Sequence, residues 1–170
     1  MSDMTNSIVK KSRNRRPGFS MIELVIVVVI IGIIAAIAIP RMSRGSVAAA
    51  ESALRQNLAV LRNALDLYQT EHMKYPETAG SVTVEQLLTQ FSNIEGTQVS
   101  ATKDATNGII YGPYIRTVPQ IPIGLRKGSN GIGAADAAGI AWLYDGAAQT
   151  GVISANATGN DSSEKPYSGY

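Results

Sequence analysis

Glu23 is the residue whose placement asks for chemistry. It is the only charged side chain in Phe19–Ile39, a run of 21 residues, and it follows Phe19 by four positions. A carboxylate inside an apolar helix costs a few kcal/mol if that helix enters a bilayer. Either it sits near the headgroups and reaches water, or it meets a cation at the same depth. Cleavage after Gly18 would create such a cation, the free α-amino group of Phe19. Residues four apart share a helix face and are about 6 Å apart along the axis. The amine could therefore pair within its own chain. It could also pair with Glu23 of a neighbouring copy displaced by about one turn. Either arrangement joins two charges in low dielectric, where an unpaired one is expensive. In the second, Glu23 gauges the register between subunits.

Other reactive constellations are absent. The chain has no cysteine, which excludes disulfides, thiolate metal sites and a cysteine nucleophile. His72 is the single histidine and has no histidine or cysteine near it in sequence. It reads as a solvated helix-end residue rather than part of a triad or a zinc site. Gly128-Ser129-Asn130-Gly131-Ile132-Gly133 lacks the strand and helix that a phosphate-binding loop requires. Trp142 reads as core. No pair of acids suggests a glycosidase, and the sequence points to no enzyme.

The element that must position Glu23 is the apolar run itself. Leu24–Ile39 carries no polar side chain. Roughly 20 apolar residues at about 1.5 Å each span a bilayer core, and a lone segment there satisfies its backbone only as a helix. Residues 1–18 hold Lys10, Lys11, Arg13, Arg15 and Arg16 against Asp3, whereas the rest of the chain holds ten basic and twelve acidic residues. The basic tip is expected to stay cytoplasmic, with Pro40 onward on the far side. It is a targeting pattern and not a nucleic-acid stripe. Three readings fit a basic tip before an apolar run. One is a secretory signal cleaved after Ala38, at Ala36-Ile37-Ala38. A second is an uncleaved anchor. The third is a signal cut before the apolar run, which is then kept.

Beyond the run, Pro40 is expected to kink the helix. Ser46–Tyr75 contains neither glycine nor proline. Leu54, Leu58, Leu61, Leu65 and Tyr68 form one apolar stripe, which predicts packing on the chain's own C-terminal domain. Thr83-Val84-Glu85-Gln86 reads as a capping box opening a helix over Val84–Phe91. Ser92–Gly108 is expected to be a loop, and Ile109–Tyr111 and Tyr114–Val118 extended. Pro119 and Pro122 place Val118–Ile123 along a sheet edge. Lys127–Gly139 is expected to be a loop. Gly139–Asp145 and Val152–Ala155 predict a β-hairpin, and Asn156–Tyr170 a polar, mobile tail. The fold class is α+β, a long N-terminal helix packed against a small C-terminal antiparallel sheet.

Arg15-Arg16-Pro17-Gly18-Phe19-Ser20-Met21-Ile22-Glu23-Leu24 resembles the prepilin cleavage and methylation signal of type IV pilins and type II secretion pseudopilins. The mid-helix glycine of that superfamily matches Gly32, and its helix-interrupting proline matches Pro40. The resemblance implies cleavage between Gly18 and Phe19, N-methylation of Phe19 with its charge retained, and assembly through Glu23. It also implies kinking or unwinding over Gly32–Pro40. The expected organisation is a cleaved leader at 1–18, a transmembrane and assembly helix at 19–39, an amphipathic continuation at 40–76, a head at 77–155 and a tail at 156–170. The head more loosely resembles that of the G-type major pseudopilin, although Gln120-Ile121-Pro122-Ile123-Gly124 stands where that subfamily carries an Asp-Pro-Trp-Gly-like segment. That subfamily binds calcium through loop oxygens near the last strands; Asp136, Asp145, Asn156 and Asp161 are the donors available here, without a recognisable calcium loop. No other cofactor is expected.

The implied function is a structural subunit of a type II secretion pseudopilus, helping to move folded proteins across the outer membrane. The implied location is the bacterial inner membrane, single-pass, with the head in the periplasm. The implied partners are a prepilin peptidase and methyltransferase, copies of itself, minor pseudopilins, the assembly platform and the bilayer; no nucleic acid is expected. A type IV or DNA-uptake pilin is the alternative within the superfamily. A secreted binding domain released after Ala38 is the alternative outside it.

Overall fold

The leucine stripe is the spine around which the head is built. The computed structural model describes residues 18–170; residues 1–17 and the side chains of residues 37–44 lie outside that description, and with them the basic leader and the side chains of Ala38 and Pro40. The chain divides into two compact units, Met1–Ser43 and Arg44–Tyr170. Helix α1, Met21–His72, is helical without a break through Gly32 and past residue 40.

α1 is shorter than the expected helix over 19–39 with its continuation over 40–76. At its C-terminal end Met73 takes a left-handed backbone, φ 59°. Pro76 disfavours helical geometry at Tyr75 before it, and the Tyr75 N–H is taken by Gln149 Oε1 at 2.9 Å. Leu54, Leu58, Leu61, Leu65 and Tyr68 are all essentially inaccessible to solvent. Burying each leucine contributes about 1.5–3 kcal/mol, which is where the stability of this half of α1 lies.

Helix α2, Val84–Thr89, opens on the expected capping box: Thr83 Oγ1 accepts from Gln86 N–H, and Gln86 Oε1 accepts from Thr83 N–H at 2.9 Å. It stops short of Phe91 because Phe91 enters β1, Phe91–Ser92, which pairs antiparallel with β2, Val99–Ser100. Apart from Phe91, this small ladder falls in a stretch expected to be loop. Ile109 and Tyr111 form single bridges to Asp104 and Ser92 rather than a strand, while the N–H groups of Tyr114 and Ile115 both donate to the Leu88 carbonyl.

The main sheet has the order β3-β4-β5, with β3 at Gly131–Gly133, β4 at Ile140–Tyr144 and β5 at Ile153–Ala155. β4 and β5 are the predicted antiparallel hairpin, with Trp142 opposite Ala155 and Tyr144 opposite Ile153. β3 lies in the stretch expected to be loop and pairs parallel to β4, so the sheet is mixed rather than antiparallel. Glycine makes that pairing fit: a Cβ on Gly131 would stand 2.7 Å from the Gly139 carbonyl oxygen.

Val118–Ile123 joins no ladder. Its prolines lack N–H groups; two of its carbonyls are held by side chains and that of Ile121 by the Gly128 N–H. Trp142 Nε1–H donates to Pro119 O and Asn57 Nδ2–H to Gln120 O, both at 2.9 Å, while Ile121 is buried. Trp142 itself is fully buried, as expected.

The segment Asn156–Tyr170 is packed, contrary to the expectation of a mobile tail. Ala157 and Asp161 are buried, and Tyr167–Gly169 forms a 3₁₀ turn. Its anchor on α1 is Glu51, a buried carboxylate three residues before Leu54 that extends the leucine stripe. Glu51 accepts from Ser162 N–H at 2.9 Å and from Ser162 Oγ–H at 2.8 Å. A buried carboxylate needs such donors, and the tail supplies them.

Candidate assembly segment and the acidic sites of the head

Gly18–Ser20 precede α1 in irregular conformation, so Phe19 lies just outside the first turn. The first helical backbone bond runs from Leu24 N–H to Ser20 O at 3.2 Å. Glu23 Oε2 accepts from the Ser20 N–H at 2.9 Å. That bond is one half of a capping box, in which the side chain at the third helical position satisfies the N-cap amide. A carboxylate there also lies in the favourable field at the helix N-terminus. Sequence reasoning missed this second task of Glu23, although Ser20-Met21-Ile22-Glu23 carries the S-x-x-E signature.

Among the described residues of the first unit, nothing covers the apolar helix. Every residue from Phe19 to Ile34 is exposed; Phe19 is 86% accessible, and Val27, the least accessible large side chain, still 49%. Among the described residues a Cβ at Gly32 would meet nothing within 4 Å, so their packing does not require that glycine. Among the described residues, no helix is long and apolar enough to cross a membrane. The expected span Phe19–Ile39 ends in residues 37–39, whose side chains lie outside the description.

The head places its candidate residues differently from expectation. His72 is buried rather than solvated, at 5% accessibility. Its ring stacks on Tyr68 with centroids 3.9 Å apart. Nδ1 lies 2.8 Å from the Ile94 carbonyl, and Nε2 lies 3.0 Å from Tyr114 Oη and 3.4 Å from Ser92 Oγ. A carbonyl only accepts, so Nδ1 carries the proton of the neutral ring. Burial pushes the His72 pKa below its ordinary value. The Tyr114 hydroxyl donates to Glu71 Oε2 at 2.6 Å, and burial together with that carboxylate pushes the phenol well up.

The four oxygen donors singled out for calcium do not converge. Asp136 and Asn156 meet, but through the amide nitrogen: Asn156 Nδ2–H donates to Asp136 Oδ1 at 2.8 Å. Arg126 donates to the same oxygen from Nε at 3.0 Å and Nη2 at 2.7 Å. These hydrogen bonds, from Asn156 and then Arg126, hold the Asp136 carboxyl below its ordinary pKa. Asp145 Oδ1 accepts from the Ala147 N–H within its own turn. Asp161 Oδ1 accepts from Ser163 and Lys165 N–H at 2.8 Å each, while Oδ2 accepts from the Tyr170 hydroxyl and from Arg55 Nη2. The Tyr170 hydroxyl is foremost in holding Asp161 below its ordinary pKa. Calcium requires several oxygens that converge on the ion; here Asp136 Oδ1, Asp145 Oδ1 and both Asp161 oxygens face N–H and O–H donors, and among the described residues no three acidic side chains come together, so the donor set does not fit.

Comparison with known proteins bears on the helix and the head together. Residues 13–39 match the family model described as the prokaryotic N-terminal methylation motif. The type II secretion system core protein G of Aeromonas hydrophila is 30% identical over 112 residues, covering 66% of this chain and 71% of that protein. The chain belongs to the type II secretion system core protein G family. Two other core G proteins, from Klebsiella pneumoniae and Vibrio cholerae, are each 29% identical, over 65% and 67% of this chain and 71% and 70% of their own lengths. No solved structure matches the chain. Membership of the core protein G family, with the methylation motif, supports a pseudopilin role.

Proposed function

We propose that this chain is a structural subunit of a type II secretion pseudopilus. A prepilin peptidase cuts it between Gly18 and Phe19 and methylates the new Phe19 amine. Phe19–Ile39 holds the subunit in the inner membrane, with the head on the periplasmic side. The same helix then packs against copies of itself and minor pseudopilins on the assembly platform, and the filament helps to move folded proteins outward. The single observation that carries this reading is the helix from Met21 to Ile34, exposed on every face with a carboxylate at its start. Apolar residues exposed all round call for lipid or neighbouring helices as their surroundings. Glu23 adds a register mark, since an incoming Phe19 amine is the natural counter-charge at its depth.

Mass analysis of the mature chain tests the processing step. The expected first residue is N-methylated Phe19. A chain beginning at Ile39 would mean a released secreted domain, and an intact N-terminus an ordinary anchor; either result excludes the proposal.

A further inference from the structure

We propose that the head of this protein is held by its own arginines, Arg126 at Asp136 and Arg55 at the Glu51–Asp161 pair, and that its fold is therefore independent of calcium. Both places lie among the described residues of the Arg44–Tyr170 unit. At the first, Arg126 from the loop before β3 reaches Asp136 in the β3–β4 connection, and Asn156, just after β5, closes on the same oxygen. Asn156 is fixed further: the same Nδ2 group also donates to the Ile140 carbonyl at 2.9 Å, and its backbone N–H donates to Ala141 O at 2.8 Å. Three segments that flank the sheet are thus joined through one carboxylate oxygen. At that oxygen a divalent ion would have to displace the guanidinium and the Asn156 N–H.

At the second place, Arg55 on α1 lies between two carboxylates. Its Nη2 is 3.9 Å from Glu51 and 3.4 Å from Asp161. The same nitrogen donates to Tyr170 Oη at 3.2 Å, and the guanidinium lies over the Tyr170 ring at 5.2 Å from its centre. Lys165 faces the ring as well, with Nζ 4.1 Å from the centre. Glu51 and Asp161 are both buried. Buried carboxylates of like charge require a counter-ion, and here Arg55 provides it. Arginine suits both places: two donors of the planar Arg126 fork converge on one Asp136 oxygen, and the Arg55 guanidinium meets Asp161 and Tyr170 while lying over the Tyr170 ring, a geometry that the compact lysine ammonium does not reproduce.

Trp142 is the chain's only tryptophan and is buried on β4, so its fluorescence reports on unfolding of the head. The outcome is separate from cleavage and filament formation. Full-length protein in detergent would be melted in excess EGTA and again in millimolar calcium chloride. The expected midpoints coincide. Arg126→Ala and Arg55→Ala should each lower the midpoint by a few degrees in both buffers, with Arg126→Lys falling between Arg126→Ala and the unaltered protein. Asp136→Asn keeps the shape of the acceptor and should fold even if Arg126→Ala does not; it too should melt lower, equally in both buffers. A saturable rise in the unaltered protein's midpoint with calcium would overturn the proposal. So would unchanged midpoints in Arg126→Ala and Asp136→Asn.

Discussion

His72 shows how a single residue couples packing to solution conditions. Its ring is stacked on Tyr68, with Tyr111, Tyr114, Ser92 and the Ile94 carbonyl around it and Glu71, Lys74 and Glu95 as the neighbouring charges. Burial is the largest influence and lowers the folded-state pKa, so the unfolded chain binds a proton more readily than the folded one below about pH 6.5. The stability this gives is fully present above that pH and is lost as pH falls toward the folded pKa. Asp136 and Asp161 are also held down, but they lose their contribution only below about pH 4, so the two windows separate. Urea denaturation at intervals from pH 8 to pH 5 should show stability falling through the histidine window. His72→Gln should flatten that fall while lowering stability throughout, because it cannot restore the stack on Tyr68. An unchanged slope in the variant would refute the assignment.

At the scale of elements, the interior-facing helix and the last hairpin were legible in the sequence, and short polar pieces were not. Leu54 to Tyr68 repeat at helical spacing over five positions, enough to declare a face. Thr83 and Gln86 sit at the fixed offset of a capping box, and the structure has both of its bonds. Thr83→Ala should accordingly cost about 0.5–2 kcal/mol, against about 2–5 kcal/mol for Leu61→Ala in the stripe; chemical denaturation followed at Trp142 would rank them. β1, β2 and β3 span only two or three residues and carry no usable period. The packed tail was hidden for a different reason. Its polar composition reads as solvated, yet its donors belong to Glu51, whose position in line with Leu54 and Leu58 was the available signal. Glu51→Leu would leave the Ser162 donors unpaired, whereas Glu51→Gln keeps an acceptor. Protease digestion should therefore clip Asn156–Tyr170 readily in the first variant and slowly in the second.

At the scale of the whole molecule, the question is what Glu23 does once many copies exist. In the single chain it has one identified task, accepting the Ser20 N–H at the start of α1. In a filament the proposal gives it another, neutralising the Phe19 amine of a neighbour. Most substitutions at this position would remove both tasks and could not separate them. Glu23→Gln can, because glutamine serves the third helical position of a capping box as well as glutamate does, but it carries no charge. Glu23→Leu removes both. If the cap alone matters, Glu23→Gln should yield filaments as the unaltered chain does, and only Glu23→Leu should fail. If the charge sets the register, both variants should be cut after Gly18 and held in the membrane, yet neither should pellet as filaments. The N-terminal mass of the membrane-bound pool and the yield of sedimentable filament, read on the same preparation, decide between these outcomes. We expect the second. An amine brought into the apolar interior opposite a neutral amide would be left as an unpaired charge, which costs more than one helix-capping bond returns.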